Sequence, residues 1–226
     1  MIPQPITFSL RYLIVMLHPE ILNSAQQELL PLVGKFGREY YLVGGTAIAL
    51  YLGHRRSIDY DLFKKARLQR KKNLDVIQAS GYPYQVLFNT DGQMNLVVNG
   101  VKLTFFQYEF DVKPVSDFQG VVKLPSLLDL AAMKAYALGR RSKWKDYVDL
   151  FFLLKEHFSI DEISARAEII FGELFSAKMF RVQLSYFEDV DYSEEVEYLV
   201  PKPPSNLDIQ TFLTEVSTEI FPEILV

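Results

Sequence analysis

The chain contains no cysteine among its 226 residues. A disulfide scaffold, a thiol nucleophile and a cysteine-based zinc site are therefore excluded. Histidine is also scarce, because only His18, His54 and His157 occur, and they lie too far apart along the chain to indicate the ligand set of a zinc hydrolase. Internal repeats and low-complexity segments are missing as well.

Long hydrophobic runs are missing too. Residues 8–17 are apolar, but Arg11 interrupts them, and a transmembrane helix needs about 20 apolar residues. This segment has neither a basic start nor a small-residue cleavage site, so we do not expect a signal peptide. We expect a cytoplasmic protein with no membrane partner. Met16 is an alternative start, which would make residues 1–15 an upstream extension of the reading frame.

The composition is that of an ordinary globular chain. Apolar residues make up 49%, charged residues 23%, and the formal net charge is −4. This length can bury one sizeable core, alone or with a smaller helical partner. The acidic balance argues against a surface that coats nucleic acid. Local basic clusters occur at residues 55–56, 67–72 and 140–145, and solvated helix ends are their commonest interpretation.

The order of elements predicts an α+β fold. Strand-prone runs at residues 40–43, 57–63, 93–98, 101–108 and 121–124 alternate with helical stretches at 19–35, 47–52 and 64–80. Asn99-Gly100 between two such runs indicates a hairpin. After residue 124 only helices are expected: one opened by a capping box of Ser126 and Asp129 and ending before Gly139, then 143–157, 161–187 and 208–220. We therefore predict an α/β catalytic domain at 1–124 and a helical domain at 125–226.

Two aspartates are the first candidates for chemistry. Asp59 and Asp61 lie two apart in a predicted strand, so both carboxylates point to one face, with Cα atoms roughly 6.6 Å apart. Such a pair can share one Mg²⁺. Ile58, Tyr60 and Leu62 are expected on the opposite, buried face. Taken alone, an Asp-x-Asp pair is more often two solvent-facing acids on an edge strand.

A glycine turn upstream strengthens the metal interpretation. Gly44 and Gly45 allow a sharp turn from strand to helix without a Cβ to block a close ligand. The helix after them presents free N–H groups and a positive dipole end to phosphates. Thr46 is expected to cap that helix. Together with Asp59 and Asp61, the turn provides both parts of a phosphoryl-transfer site, one for the triphosphate and one for the metal.

Charged residues in the helical half are weaker candidates. Lys134 is the only charge between Leu130 and Gly139. A lone lysine of this kind is usually a snorkelling surface residue, and the alternative is a phosphate contact across the cleft. Lys145 and Asp149 are spaced as an i,i+4 surface pair.

These stretches together resemble the AbiEii/AbiGii-type nucleotidyltransferase toxin family of type IV toxin–antitoxin systems. Residues 42–63, from Leu-Val-Gly-Gly-Thr to Asp-Tyr-Asp-Leu-Phe, are similar to the first motif of that family almost throughout. Residues 133–141 and 143–154 resemble its later lysine and Lys-Asp-x-x-Asp-Leu motifs. The resemblance covers roughly residues 20 to 190.

The resemblance implies a DNA-polymerase-β-like fold and transfer of a nucleoside monophosphate from an NTP. It assigns Gly44, Gly45 and Thr46 to phosphates, and Asp59 and Asp61 to Mg²⁺ or Mn²⁺. Lys134 would meet the nucleotide. Asp146 would complete the site by orienting Lys134 or acting as a base. Implied partners are an RNA acceptor such as tRNA, or a protein acceptor, and a cognate antitoxin.

One departure from the superfamily pattern leaves alternatives open. Polymerase-β-like enzymes usually carry a third carboxylate on a later strand, where this chain has Thr104, while Glu109 and Asp111 follow further on. A general base contributes typically about 10²–10⁴-fold. The rival hypothesis is therefore a catalytically degenerate protein that binds nucleotide or serves as a regulatory partner. A third hypothesis is a small-molecule nucleotidyltransferase of the aminoglycoside-modifying kind.

Overall fold

A computed structural model of the chain describes residues 16–219. Within that range the α-helices are α1 (Ser24–Phe36), α2 (Gly44–Leu52), α3 (Arg70–Gln78), α4 (Leu127–Leu138), α5 (Trp144–Glu156), α6 (Ile160–Phe171), α7 (Ala177–Leu184) and α8 (Asn206–Thr218). The strands are β1 (Tyr41–Val43), β2 (Tyr60–Lys64), β3 (Tyr84–Asn89), β4 (Gln93–Val98), β5 (Val101–Gln107), β6 (Pro114–Phe118) and β7 (Val122–Pro125). Strands precede the last five helices, which confirms the predicted α+β class.

The strands form one mixed sheet in the order β3-β4-β5-β2-β1-β7-β6. Strand β2 lies at its centre, antiparallel to β1 and parallel to β5. The register places Asp61 beside Val43 on β1 and beside Thr104 on β5. The carboxylate therefore sits where β1 ends and the chain turns into α2.

Aromatic contacts hold one helix against the sheet and join two helices of the C-terminal part. Phe105 on β5 lies under α1, with its ring centroid 4.8 Å from that of Phe36. In the helical part, Tyr136 of α4 stacks on Phe171 of α6 at 3.9 Å. Helix α2 packs against both α4 and α5. Since α2 begins directly at the glycine turn, this packing brings the helical part against the same edge of the site.

Several local predictions are confirmed. Asn99 and Gly100 join β4 to β5 with φ of 49° and 79°, the backbone that a two-residue hairpin turn requires. Ser126 caps α4, because its hydroxyl accepts a hydrogen bond from the backbone N–H of Asp129. The carboxylate of Asp129 does not complete a capping box and instead pairs with Arg166, 2.5 Å away.

Other boundaries differ from the prediction. The expected helix at 161–187 is wrong as one element, because Gly172, with φ of +55°, separates α6 from a 3₁₀ turn and α7. The helix expected from residue 19 begins only at Ser24, after a capping box made by Asn23 and Gln26. The helix expected at 64–80 occupies only Arg70–Gln78. Strands β3 and β6 are additional to those predicted.

No helix within residues 16–219 combines the length and the apolar character needed to cross a membrane. The expectations for residues 1–15, and for the end of the last helix at residue 220, fall outside the described range.

Candidate active site

The turn between β1 and α2 forms one edge of the site. Gly44 has φ of +72°, a backbone conformation that residues with a Cβ adopt only at a cost. A Cβ on Gly44 would also overlap Oδ2 of Asp61. Glycine at this position therefore lets the start of α2 approach the carboxylate closely.

Thr46 has a different role from the predicted one. Helix α2 begins at Gly44, its N-cap is Val43, and no side chain caps it, so the expected cap by Thr46 is wrong. The Thr46 hydroxyl is buried and donates a hydrogen bond to the carbonyl of Asp59, next to Ser57 Oγ at 2.9 Å. It thus fastens the segment that carries Asp59.

The paired acids adjoin this turn. Strand β2 begins at Tyr60, so Asp59 precedes the strand rather than lying within it, and Ile58 is 55% exposed instead of buried. Tyr60 and Leu62 fill the core as expected. Burial, reinforced by the neighbouring charge of Asp59, raises the pKa of Asp61. Two carboxylates whose charges oppose each other in this way favour binding of a cation.

The opposite wall is a buried ion-pair network around Lys134. This side chain is buried, so its interpretation as a surface lysine is wrong. Its Nζ lies 2.7 Å from Asp146 Oδ1 and 2.8 Å from Asp149 Oδ2. An ammonium group has three donors, so one remains for a ligand in the cleft that Lys134 lines.

Asp149 is the centre of this network. It accepts hydrogen bonds from Arg55 Nε at 2.7 Å and Nη2 at 2.8 Å, and pairs with His54 Nε2 at 2.8 Å. The expected surface pair with Lys145 is wrong, because Lys145 lies 3.3 Å from Glu194. A buried carboxylate with several cationic partners joins α4, α5 and the segment after α2.

The network carries one net positive charge, because Arg55, Lys134 and Arg141 outnumber the two aspartates. Burial would raise the pKa of Asp149, but Arg55 and Lys134 hold it well below its usual range. Burial likewise opposes ionisation of Asp146, and Lys134 with Arg141 lowers its pKa. Both acids are therefore carboxylates near neutral pH.

Three of these residues escaped the sequence-based prediction. Arg55, Asp149 and Arg141 lie within the stretches that resemble the family, but the sequence assigns them no role in the site. Arg141 Nε lies 2.8 Å from Asp146 Oδ2. The available signal is the i,i+3 spacing of Asp146 and Asp149, which puts both acids on one face of α5, together with a lone lysine on the apolar helix before it. Pairing them needed the packing of α4 on α5, which no local pattern provides.

Between the two walls lies a cleft of about 370 Å³. The sheet contributes Asp61, Lys102 and Thr104 to its lining, whereas Lys134 comes from α4, and Arg140 and Arg141 come from the turn after α4. Gly44 lines its edge. Asp146 and Thr46 support the site from outside the cleft. Asp146 contacts Lys134, and Thr46 contacts the segment that carries Asp59. The cleft thus has Asp61 together with Lys102 on the sheet wall and three further cations on the opposite wall, an arrangement suited to a metal-bound polyphosphate.

The carboxylate oxygens available at this site fit a divalent cation that a substrate also binds. No group of three histidine or acidic side chains is assembled as a metal site within residues 16–219. Asp59 and Asp61 offer two carboxylates, and Mg²⁺ is commonly bound by one or two carboxylates together with substrate phosphates. Thr104 occupies the position beside Asp61 in the neighbouring strand.

The sheet order and the two-walled cleft define a protein of the nucleotidyltransferase fold. The chain is similar to a solved putative nucleotidyltransferase from H. pylori, with a TM-score of 0.58, 18% identity, and coverage of 85% of this chain and 91% of that one. It is also similar to MenT4, a nucleotidyltransferase toxin from Mycobacterium tuberculosis, with a TM-score of 0.59, 14% identity, and coverage of 86% and 80%.

The chain belongs to the family described as "Nucleotidyl transferase AbiEii toxin, Type IV TA system", which residues 100–222 match. That range contains Lys134, Asp146 and Asp149, whereas the glycine turn and the paired acids precede it. The protein aq_aa25 of Aquifex aeolicus, described as uncharacterized, is 27% identical over 195 residues, covering 78% of this chain and 92% of the relative.

Proposed function

We propose that this protein is a metal-dependent nucleotidyltransferase that transfers an NMP from an NTP to an RNA or protein acceptor. In this proposal it is the toxin component of a type IV toxin–antitoxin system, acts in the cytoplasm, and has a cognate antitoxin as partner. The observation that carries the proposal is the opposition of Asp61 to Lys134 and Arg141 across one cleft. Family membership supports the class of reaction.

Each wall has its own task in this proposal. Asp59 and Asp61 hold Mg²⁺ or Mn²⁺, which when bound offsets charge on the triphosphate. The N–H groups at the start of α2, from Gly44, Gly45 and Thr46, receive phosphate oxygens. Lys134 donates its remaining N–H to the nucleotide, and Asp146 keeps its ammonium in place through the 2.7 Å contact.

The transfer is an in-line substitution at the α-phosphorus. The acceptor hydroxyl oxygen forms a bond to that phosphorus, and the bond to the bridging oxygen of the β-phosphate breaks. Pyrophosphate leaves, and the hydroxyl proton passes to solvent, since the cleft is open to water. Positioning and charge stabilisation carry most of the catalysis in such reactions.

The proposed catalytic domain at 1–124 and helical domain at 125–226 correspond to these two walls. The division is supported by the origin of the acids on β2 and of Lys134 and Asp146 on α4 and α5. The cleft then lies at the junction of the two domains, with α2 packed against the helices.

A labelling experiment tests the proposal. The purified protein is incubated with Mg²⁺, each α-labelled NTP in turn, and either total cellular RNA or cellular protein. A labelled RNA or protein band is expected, and Asp59→Asn and Asp61→Asn are expected to abolish it. Asp75→Asn serves as the control, because Asp75 is an exposed acid on α3. Label that persists in both site variants would contradict the proposal.

One observation favours a second candidate function. Thr104 stands next to Asp61, where a third carboxylate is usual in this fold. A catalytically degenerate protein would bind nucleotide through the same cleft and act as a binding or regulatory partner. Nucleotide binding without a labelled product from any RNA or protein acceptor would favour this second function.

A further inference from the structure

Strand β5 places a lysine, Lys102, on the side of the cleft where Asp59 and Asp61 lie. Lys102 lies two residues before Thr104, and its Nζ is 3.6 Å from Asp59 Oδ2. Leu103 and Phe105 point into the core, so the alternation of the strand turns Lys102 and Thr104 to the cleft side, where both line the cavity.

The charge on this wall is too small for two divalent cations. Two-metal phosphoryl-transfer sites place their ions about 3.5–4 Å apart, one for the attacking oxygen and one for the leaving oxygen. Here Asp59 and Asp61 supply two negative charges, Thr104 supplies none, and Lys102 supplies one positive charge. A second divalent ion next to Asp59 would meet the ammonium group at close range and be repelled.

Lys102 is also free to move toward a ligand. Its side chain is 45% exposed, and its contact with Asp59 is longer than a hydrogen bond. Its flexible four-carbon side chain and three N–H donors allow the ammonium group to keep a hydrogen bond to a phosphate oxygen as that oxygen moves. Arg141 and Lys134 occupy the other wall, so Lys102 is the cation on the side of the carboxylates.

We propose that the site holds one divalent cation and that the Lys102 ammonium takes the place of the second, donating to the α-phosphate as the acceptor attacks. This inference rests on the proposed function. Lys102 then stabilises the negative charge on the non-bridging oxygens of the α-phosphate in the transition state. It forms no covalent bond and keeps its protons throughout.

Counting bound Mn²⁺ by electron paramagnetic resonance tests the first half of the inference. The full chain is titrated with Mn²⁺ in the presence of saturating α,β-methylene NTP, which is not cleaved at the α–β bond. One Mn²⁺ per chain is expected. The double variant Lys102→Gln/Thr104→Asp is expected to bind a second ion. Two ions in the wild-type protein, or no gain in the double variant, would overturn the inference.

Transfer kinetics test the second half. Lys102→Gln is expected to slow NMP transfer roughly 10²-fold, with the Mn²⁺ count and the nucleotide affinity little changed, and Lys102→Arg is expected to restore part of the rate. Lys113→Gln is the control, because Lys113 is exposed and pairs only loosely with Asp111. Full activity of Lys102→Gln overturns this inference and leaves the proposed function standing. A wild-type protein that binds no nucleotide overturns both.

Discussion

Asp149 Oδ2 and Lys134 Nζ lie 2.8 Å apart in the interior between α5 and α4. The same carboxylate is held by Arg55 from the segment that follows α2. One buried acid on α5 therefore connects Lys134 on α4 with the segment that follows α2. Stability and the shape of the cleft depend on the same contacts.

Asp149→Ala should be strongly destabilising. Removing one partner from a buried ion pair leaves uncompensated charge and costs about 3–5 kcal/mol. Here Lys134 and Arg55 would both lose a buried acceptor. Urea unfolding followed by far-UV circular dichroism measures the change. Asp75→Ala, at an exposed position on α3, should stay within about 0.5 kcal/mol of wild type. Equal midpoints for the two variants would contradict the role of Asp149.

The same acid should make stability sensitive to low pH. The pKa of Asp149 lies well below its ordinary value of 3.8, so the unfolded chain binds this proton more readily than the folded chain does. The stabilisation is complete above 3.8 and is lost as the pH falls from there toward the folded pKa. In Asp149→Asn, unfolding free energy measured below pH 5 should fall less steeply than in wild type. An identical slope would argue against this linkage.

Gly44→Ala should impair nucleotide binding in addition to destabilising the backbone. Alanine at positive φ costs about 1–2 kcal/mol, and its Cβ would also push Asp61 aside. Gly81→Ala is a matched control, since Gly81 has φ of +78° with nothing within 4 Å of an added Cβ. Both variants should lose stability in thermal unfolding, and only Gly44→Ala should also lose Mg²⁺-dependent nucleotide binding. Equal binding by the two would show that the clash is harmless.

Thr46→Val should loosen the segment that carries Asp59. The variant keeps the side-chain volume but removes the hydroxyl that donates to the Asp59 carbonyl, at a cost of about 1–3 kcal/mol for an unpaired buried group. Mg²⁺-dependent nucleotide affinity should fall as well, as measured by calorimetry. Thr211→Val, at an exposed position on α8, controls for the change of residue type. If Thr46→Val keeps the nucleotide affinity of the wild-type protein, Thr46 contributes only to packing.

The fold class and the sheet side of the site could be predicted from local patterns. The Asn99-Gly100 hairpin, the Ser126 cap and the glycine turn depend on residues close together in the chain, and local backbone preferences determine them. The edge strand β3 escaped prediction because its side chains are exposed on both faces, so it lacks the alternation that identifies a half-buried strand.

The helical side of the site needed tertiary information. Lys134, Asp149 and Arg55 are separated by as many as 94 residues, and each alone has the character of a surface charge. Their burial follows from the packing of α2 against α4 and α5. The hydroxyl of Thr46 illustrates the same limit, because its use depends on where the Asp59 segment crosses α2.

Calorimetric titration with an NTP in the presence and absence of Mg²⁺ tests the central claim most directly. The claim is that Asp59 and Asp61 face Lys134 across a metal-nucleotide site. The wild-type protein should bind NTP with Mg²⁺ and lose that binding in EDTA, Asp61→Asn should show no Mg²⁺-dependent binding, and Asp75→Asn should match wild type. Absence of binding by the wild-type protein at millimolar NTP and Mg²⁺, or unchanged binding by Asp61→Asn, would contradict it.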